Sequence, residues 1–415
     1  MLKSYSCFLL LFTSLLPLCA QSQRTGTIRF NANSNLSIFE GKACIHDAHH
    51  QLNGVFEKLY DLTQTKEDTS QLIIMHIGDS HMQGGMLSGR IRNHFHHHFG
   101  NAGRGLIVPY RLSRSNEPRD YCIKSNVKWQ KSRCIEKSNS LPIGVGGISV
   151  ATDESKADLH ISVLGDEIQD YSFNKIRVFG KKNALTPNAD ANIWAYADAD
   201  SSVFVLNEPT TNIDLFRQNS ADYVTPTLFG GVSLENSHKG VLYHAIGANG
   251  AHYQDYVKHS EFFSQAALLQ PHLIIVSLGT NEAFGGSFNK SGFVSQMDAM
   301  VTELKSHNPN AVIMLTTPAE VYIKKKARRK RMVSAPNRNC DLVADAIVEY
   351  ASAHHLPVWD MNRITGGEGS AKTWLSHDFL RPDRIHFTEA GYAIQGDLFF
   401  KSFISNYNSY VESRH

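Results

Sequence analysis

The chain has 415 residues, of which 42% are hydrophobic and 19% charged, the balance of a globular protein with a sizeable core and room for two domains. Its 41 Lys and Arg against 39 Asp and Glu leave a net charge of +2, so no bulk positive field points to nucleic acid as a partner.

Taken in order, residues 1–20 read as an export signal. Lys3 is the positive n-region, Phe8 to Leu18 the apolar h-region and Ala20 the small residue for cleavage. No other run reaches the roughly 20 apolar residues that a spanning helix needs, so no transmembrane segment is expected in the mature chain. Leu18 before Cys19 is a poor lipid-attachment site, and the expectation is a soluble exported or periplasmic protein. Export permits disulfides among Cys44, Cys122, Cys134 and Cys340, with the pairing open and free thiols equally compatible.

Residues 21–37 are polar. Leu52, Phe56, Leu59 and Tyr60 then follow a helical period. Leu72-Ile73-Ile74-Met75-His76-Ile77 is a short apolar run rich in β-branched residues, and predicts a buried strand. It breaks at Gly78-Asp79-Ser80-His81, before a predicted helix from Met82 to Phe99 that Gly100 ends. Within that helix His94, His97 and His98 are spaced like metal ligands, but no carboxylate pattern accompanies them; a solvated face is expected, and no metal.

From 111 to 235 the texture changes to short alternating runs, among them Leu159–Val163, Lys175–Phe179 and Ser202–Leu206, separated by Asn, Asp, Gly and Pro. That spacing predicts a β-sandwich or jelly roll. Strand–helix alternation resumes at Gly240–Ile246 and continues through strands at 272–278, 311–316 and 356–360 and a last helix from Thr388 towards Val411. The fold expected is α/β, flavodoxin-like and three-layered with a parallel sheet, formed by 21–110 and 236–415 and interrupted by the β insertion at 111–235. The basic run Lys324 to Arg331 reads as a solvated loop or as a patch for an anionic polymer.

Ser80 stands at the carboxyl end of a predicted parallel strand and at the mouth of a helix, where unpaired N–H groups can receive charge on a bound oxygen. A plain N-cap serine would look the same locally. What separates the two readings is the company that Ser80 keeps. Arg381-Pro382-Asp383-Arg384-Ile385-His386 places a carboxylate and an imidazole three apart in a loop, as a general base and its orienting acid require. His76 and His81 are rival bases, the first inside the strand and the second adjoining the serine. Two other strand ends offer oxyanion donors: Gly279-Thr280-Asn281 through the Asn281 amide, and Gly247-Ala248-Asn249-Gly250 through a glycine N–H.

These four blocks, in this order and all on loops after strands, resemble the SGNH (GDSL-like) hydrolases. The resemblance covers about 72–110 and 240–400. It implies a triad of Ser80, Asp383 and His386 and an oxyanion hole of Ser80, Gly250 and Asn281, with Gly247 as the alternative glycine and no metal or organic cofactor. Gly-Asp-Ser-His, Asn-Gly-Ala and Gly-Thr-Asn-Glu are further similar to the exported peptidoglycan O-acetylesterases, which carry an inserted β domain of carbohydrate-binding-module type. That likeness implies a serine esterase removing acetyl from the C6 hydroxyl of N-acetylmuramic acid in O-acetylated peptidoglycan. Trp129, Trp194 and Tyr196 of the insertion are either sugar platforms or core. An acetylesterase for another polysaccharide or for small acyl esters, and an inactive glycan-binding protein, are the competing readings. The oligomeric state stays open.

Overall fold

The computed structural model describes residues 26–30, 34–39, 44–64, 69–165, 169–188, 191–192, 200–218, 226–326 and 332–414. The expected export signal, Trp194, Tyr196 and residues 327–331 of the basic run lie outside them. Among the described residues no helix is long and apolar enough to cross a membrane.

Five strands make a parallel sheet: β1 (Gln71–Gly78), β2 (Gly240–Gly247), β3 (Leu273–Ser277), β4 (Val312–Thr316) and β5 (Val358–Trp359). Their spatial order is 2-1-3-4-5. The chain steps from β1 to one side and then returns to the other, so β1 and β3 flank the point where the winding reverses. Ligands of such sheets sit at the carboxyl ends there. Helices cover both faces, which is why the strand interiors are apolar almost throughout, as in Leu273–Val276.

The region between β1 and β2 is largely antiparallel. Gly105–Ile107, Gly231–Glu235, Phe173–Phe179, Ser201–Thr210 and Ala191–Asn192 form one sheet, Tyr121–Lys124, Asp158–Val163, Asn212–Arg217 and Leu185–Pro187 a second, and Thr227–Phe229, Ile148–Thr152 and Gln130–Arg133 a third. Alternation along each strand buries Leu159, Ile161, Phe173, Phe204, Leu215 and Phe229 in a shared core. Trp129 belongs to that core, its indole N–H donating to Ser125 Oγ at 2.8 Å, so it offers no open face to a sugar. Cys44, Cys122, Cys134 and Cys340 are all free thiols. Cys122 lies on the second of these sheets and Cys134 just beyond the last strand of the third.

Three local expectations are corrected. The predicted helix from Met82 is two, α1 (Ser80–Gln83) and α2 (Met86–Phe99), separated by Gly84 and by Gly85 at φ +77°. That left-handed conformation turns the chain cheaply only at glycine. His94 is not on a solvated face: its Nε2 contacts Asp397 Oδ1 at 2.6 Å and its ring stacks on Phe400. The basic run is not a loop throughout, because Tyr322–Lys326 pairs with Met332–Pro336 as a two-stranded ribbon.

Asp397 lies on α3 (Glu389–Ser413), which packs along α2, and it also receives Arg90 through two guanidinium nitrogens at 2.6 and 3.0 Å. Its carboxylate is almost fully buried whereas Arg90 reaches water. Asp397→Ala is therefore expected to cost about 2–3 kcal/mol of stability, read from chemical denaturation, by unpairing His94 and loosening α2 from α3.

Candidate active site

Ser80 follows β1 directly. Asp79 caps α1, its Oδ1 accepting the His81 N–H at 2.9 Å while its carbonyl accepts from Met82 and Gln83. The Ser80 N–H has no partner among the described residues, so the first turn opens with a free donor beside the hydroxyl.

The loop that precedes α3 meets this turn. Asp383 Oδ1 accepts the N–H groups of Ile385 and His386 at 2.8 and 2.9 Å, which closes the loop and turns the imidazole inward. Asp383 Oδ2 then lies 3.0 Å from His386 Nδ1, and His386 Nε2 lies 2.9 Å from Ser80 Oγ. Burial alone would raise the Asp383 pKa. The two backbone N–H groups and the His386 imidazole outweigh that and hold it below the usual carboxylate range. Arg384, between them, takes φ +61° and gives its carbonyl to the Tyr322 N–H at 3.0 Å, so the basic ribbon braces the loop from behind.

The two glycine candidates are told apart by their surroundings. Gly247 is pressed against α1, and its N–H is already donated to Tyr110 Oη at 3.2 Å. Gly250 has φ +82° and open space where a side chain would stand, and its N–H has no partner among the described residues. Gln83 holds that turn in place: its Oε1 accepts the Asn249 N–H at 2.8 Å while its Nε2 bonds Ser115 and Asn116. Asn281 Nδ2 is engaged, donating to Asp79 Oδ2 at 3.1 Å and to the Ala251 carbonyl at 3.0 Å. Ser80, Gly250, Asn281 and His386 line one cleft of about 810 Å³, which is also lined by Arg92, Asp120 and Leu164.

Neither rival base reaches the serine hydroxyl. His76 lies across the sheet in a buried polar line, with Tyr243 Oη at 2.5 Å, Ser277 Oγ at 2.6 Å and Thr316 beyond. His81 turns away, its Nδ1 2.9 Å from Tyr392 Oη. Burial lowers both to about 3. Burial does the same to His96, to about 3, and to His244, to about 4. Between pH 6.5 and these values the unfolded chain binds protons that the folded chain refuses, so stability falls as pH drops, roughly 2 kcal/mol per histidine by pH 5. Asp79 and Glu282 act oppositely, because burial raises them to about 6 and about 7. They return part of that stability as pH falls. Burial lowers His98 as well, to about 4, so the histidines outweigh the two acids, and unfolding free energy is expected to be lower at pH 5 than at pH 7 in denaturant titrations.

Sequence reasoning missed Gln83, which sits one turn beyond the serine, and the second bond of Asp79, to Asn281. Neither residue type signals such a role by itself; only the folded contacts do.

The GDSL-like Lipase/Acylhydrolase family matches residues 226–394. That stretch contains Gly250, Asn281, Asp383 and His386 and begins after Ser80, which the antiparallel strands separate from it. The chain carries a GDSL-like lipase/acylhydrolase domain. This acylhydrolase is a carboxylic ester hydrolase by class. A structure described as a peptidoglycan O-acetylesterase superposes on it with a TM-score of 0.71 at 20% identity, covering 85% of this chain and 96% of the other. That coverage takes in antiparallel as well as parallel sheets, and shows that the two share a fold. A GDSL-like lipase from Bacteroides thetaiotaomicron is 21% identical over 40% of this chain and 76% of its own, with a TM-score of 0.31. A family 3 carbohydrate esterase from Talaromyces cellulolyticus is 18% identical over 42% and 76%, with a TM-score of 0.29. No curated protein matches the chain.

Proposed function

We propose that this acylhydrolase is an exported serine esterase that removes O-acetyl groups from cell-wall glycan, with the C6 acetyl of N-acetylmuramic acid in peptidoglycan as substrate. The observation that carries the chemistry is the unbroken line from Asp383 through His386 to Ser80, opening into a long cleft. Ser80 Oγ attacks the acetyl carbonyl carbon as its proton passes to His386 Nε2. Asp383 holds the other ring proton on Nδ1 and stabilises the imidazolium. The tetrahedral oxyanion is received by the Ser80 and Gly250 N–H groups. Asn281 joins them by giving up its bond to Asp79 or to Ala251. As the bond from the acetyl carbon to the sugar oxygen breaks, His386 protonates that oxygen and the sugar leaves with a free hydroxyl; water admitted to the same place then hydrolyses the acetyl-enzyme by the reverse proton path.

The insertion at 111–235 is assigned an accessory role in holding the polymer, with 21–110 and 236–415 as the catalytic domain. The lining of the cleft supports this, since Asn116 to Asp120 line it together with Ser80. The peptidoglycan assignment is supported by the fold shared with an O-acetylesterase of that substrate. The test is acetate release from O-acetylated against chemically de-O-acetylated peptidoglycan, with acetylated xylan as a third substrate. Release from the first alone supports the reading. Faster release from xylan overturns the substrate.

A further inference from the structure

The cleft beside Ser80 is lined by three carboxylates, and each already has a guanidinium. Glu117 takes Arg111 at 3.0 Å, Asp120 takes Arg92 at 2.6 Å and Arg104 at 2.7 Å, and Glu389 takes Arg119 at 3.4 Å. Arg381 also lines the cleft and pairs with no carboxylate among the described residues. Its Nη2 rests 3.7 Å from the Met86 thioether, a weak acceptor that leaves the fork open. Its backbone belongs to the triad loop, with its N–H donated to the His386 carbonyl and its carbonyl accepting from Arg384. Arg384, on the other side of Asp383, points away onto the Tyr322 ring. A second surplus lies where Arg92 and Arg104 share the single Asp120 and Arg92 Nη1 is buried without a partner among the described residues. Met86 and Arg92 are both on α2, about 9 Å apart along its axis by helical rise.

We infer that Arg381 is a specificity-determining residue that binds the free lactyl carboxylate of an O-acetylated muramic residue carrying no stem peptide, so that the substrate class is an acidic rather than a neutral acetylated glycan. The inference rests on the esterase reading above and deepens it. A guanidinium suits a planar carboxylate, which it can grip through two N–H donors. Anchored on the loop that carries Asp383 and His386, it would fix the acidic sugar relative to Ser80, which is the geometry a positioned ester needs. Arg92 adds to the preference locally, because it shares the single Asp120 with Arg104.

The full-length enzyme is assayed on 6-O-acetyl-N-acetylmuramic acid, on its lactyl methyl ester and on 6-O-acetyl-N-acetylglucosamine, with 4-nitrophenyl acetate as the general ester. The wild type is expected to favour the free acid over both neutral sugars by roughly 10–100-fold in kcat/KM, the range of one charge-assisted contact. Arg381→Gln should bring that ratio near unity, and Arg381→Lys should keep part of it. Because the readout is a ratio within one preparation, poor folding lowers every rate alike and does not imitate the result. If the wild type cleaves 4-nitrophenyl acetate but treats acid and methyl ester alike, or if Arg381→Gln keeps the preference, the inference is wrong and the esterase stands. If the wild type cleaves none of the four, the esterase reading fails first.

Discussion

Ser80→Ala is expected to lower kcat by about 10⁴–10⁶-fold on any ester the enzyme accepts, leaving residual turnover that comes only from binding and the oxyanion donors. The hydroxyl makes one bond, to His386 Nε2, and stands at a cleft rather than in the core. Its removal should leave thermal stability within about 1 kcal/mol of wild type, the worth of one such bond. The measurement is acetate release paired with a melting curve. An alanine variant that melts normally and retains more than a few per cent of wild-type turnover would eliminate the acetyl-enzyme mechanism.

The second large effect is expected for Asp383→Asn, which is nearly isosteric. The Ile385 and His386 N–H groups both donate to Oδ1, so the side-chain oxygen of asparagine must stay there and its NH₂ must face His386 Nδ1. A donor at that point forces Nδ1 to accept, which puts the ring proton on Nε2. Nε2 then cannot take the serine proton, and kcat should fall by about 10⁴-fold with the loop otherwise intact. Proton NMR of the imidazole reads the tautomer independently of turnover. A variant with unchanged rate, or with the Nδ1 proton still present, would remove Asp383 from the role given to it.

The proposed oxyanion hole shows how a block of residues is divided by its contacts. Gly247 and Gly250 are equivalent as letters in a glycine-containing turn. They differ because Tyr110, from the segment that follows β1, reaches Gly247 and consumes its N–H, while Gln83 holds the other turn open by its neighbour Asn249. Asn281, by contrast, is a free amide in the sequence and an occupied one in the fold, tied to Asp79 and to the Ala251 carbonyl. Asp79 is thus both cap and counterweight to Asn281.

Much of this was legible along the chain because it is local. The period-two and helical patterns, the glycine stops and the Asp-x-x-His loop depend on neighbours a few residues apart, and β1 to β5 and the closing helix lie where those patterns place them. What only the tertiary structure decided concerns partners far apart in sequence: that His386 rather than His76 or His81 meets Ser80 across 306 positions, that His94 serves Asp397, and that Trp129 is core. A side chain's identity states what it can donate or accept, whereas which group it faces depends on how strands and helices from distant segments pack, and that is settled by the burial of the whole core at once.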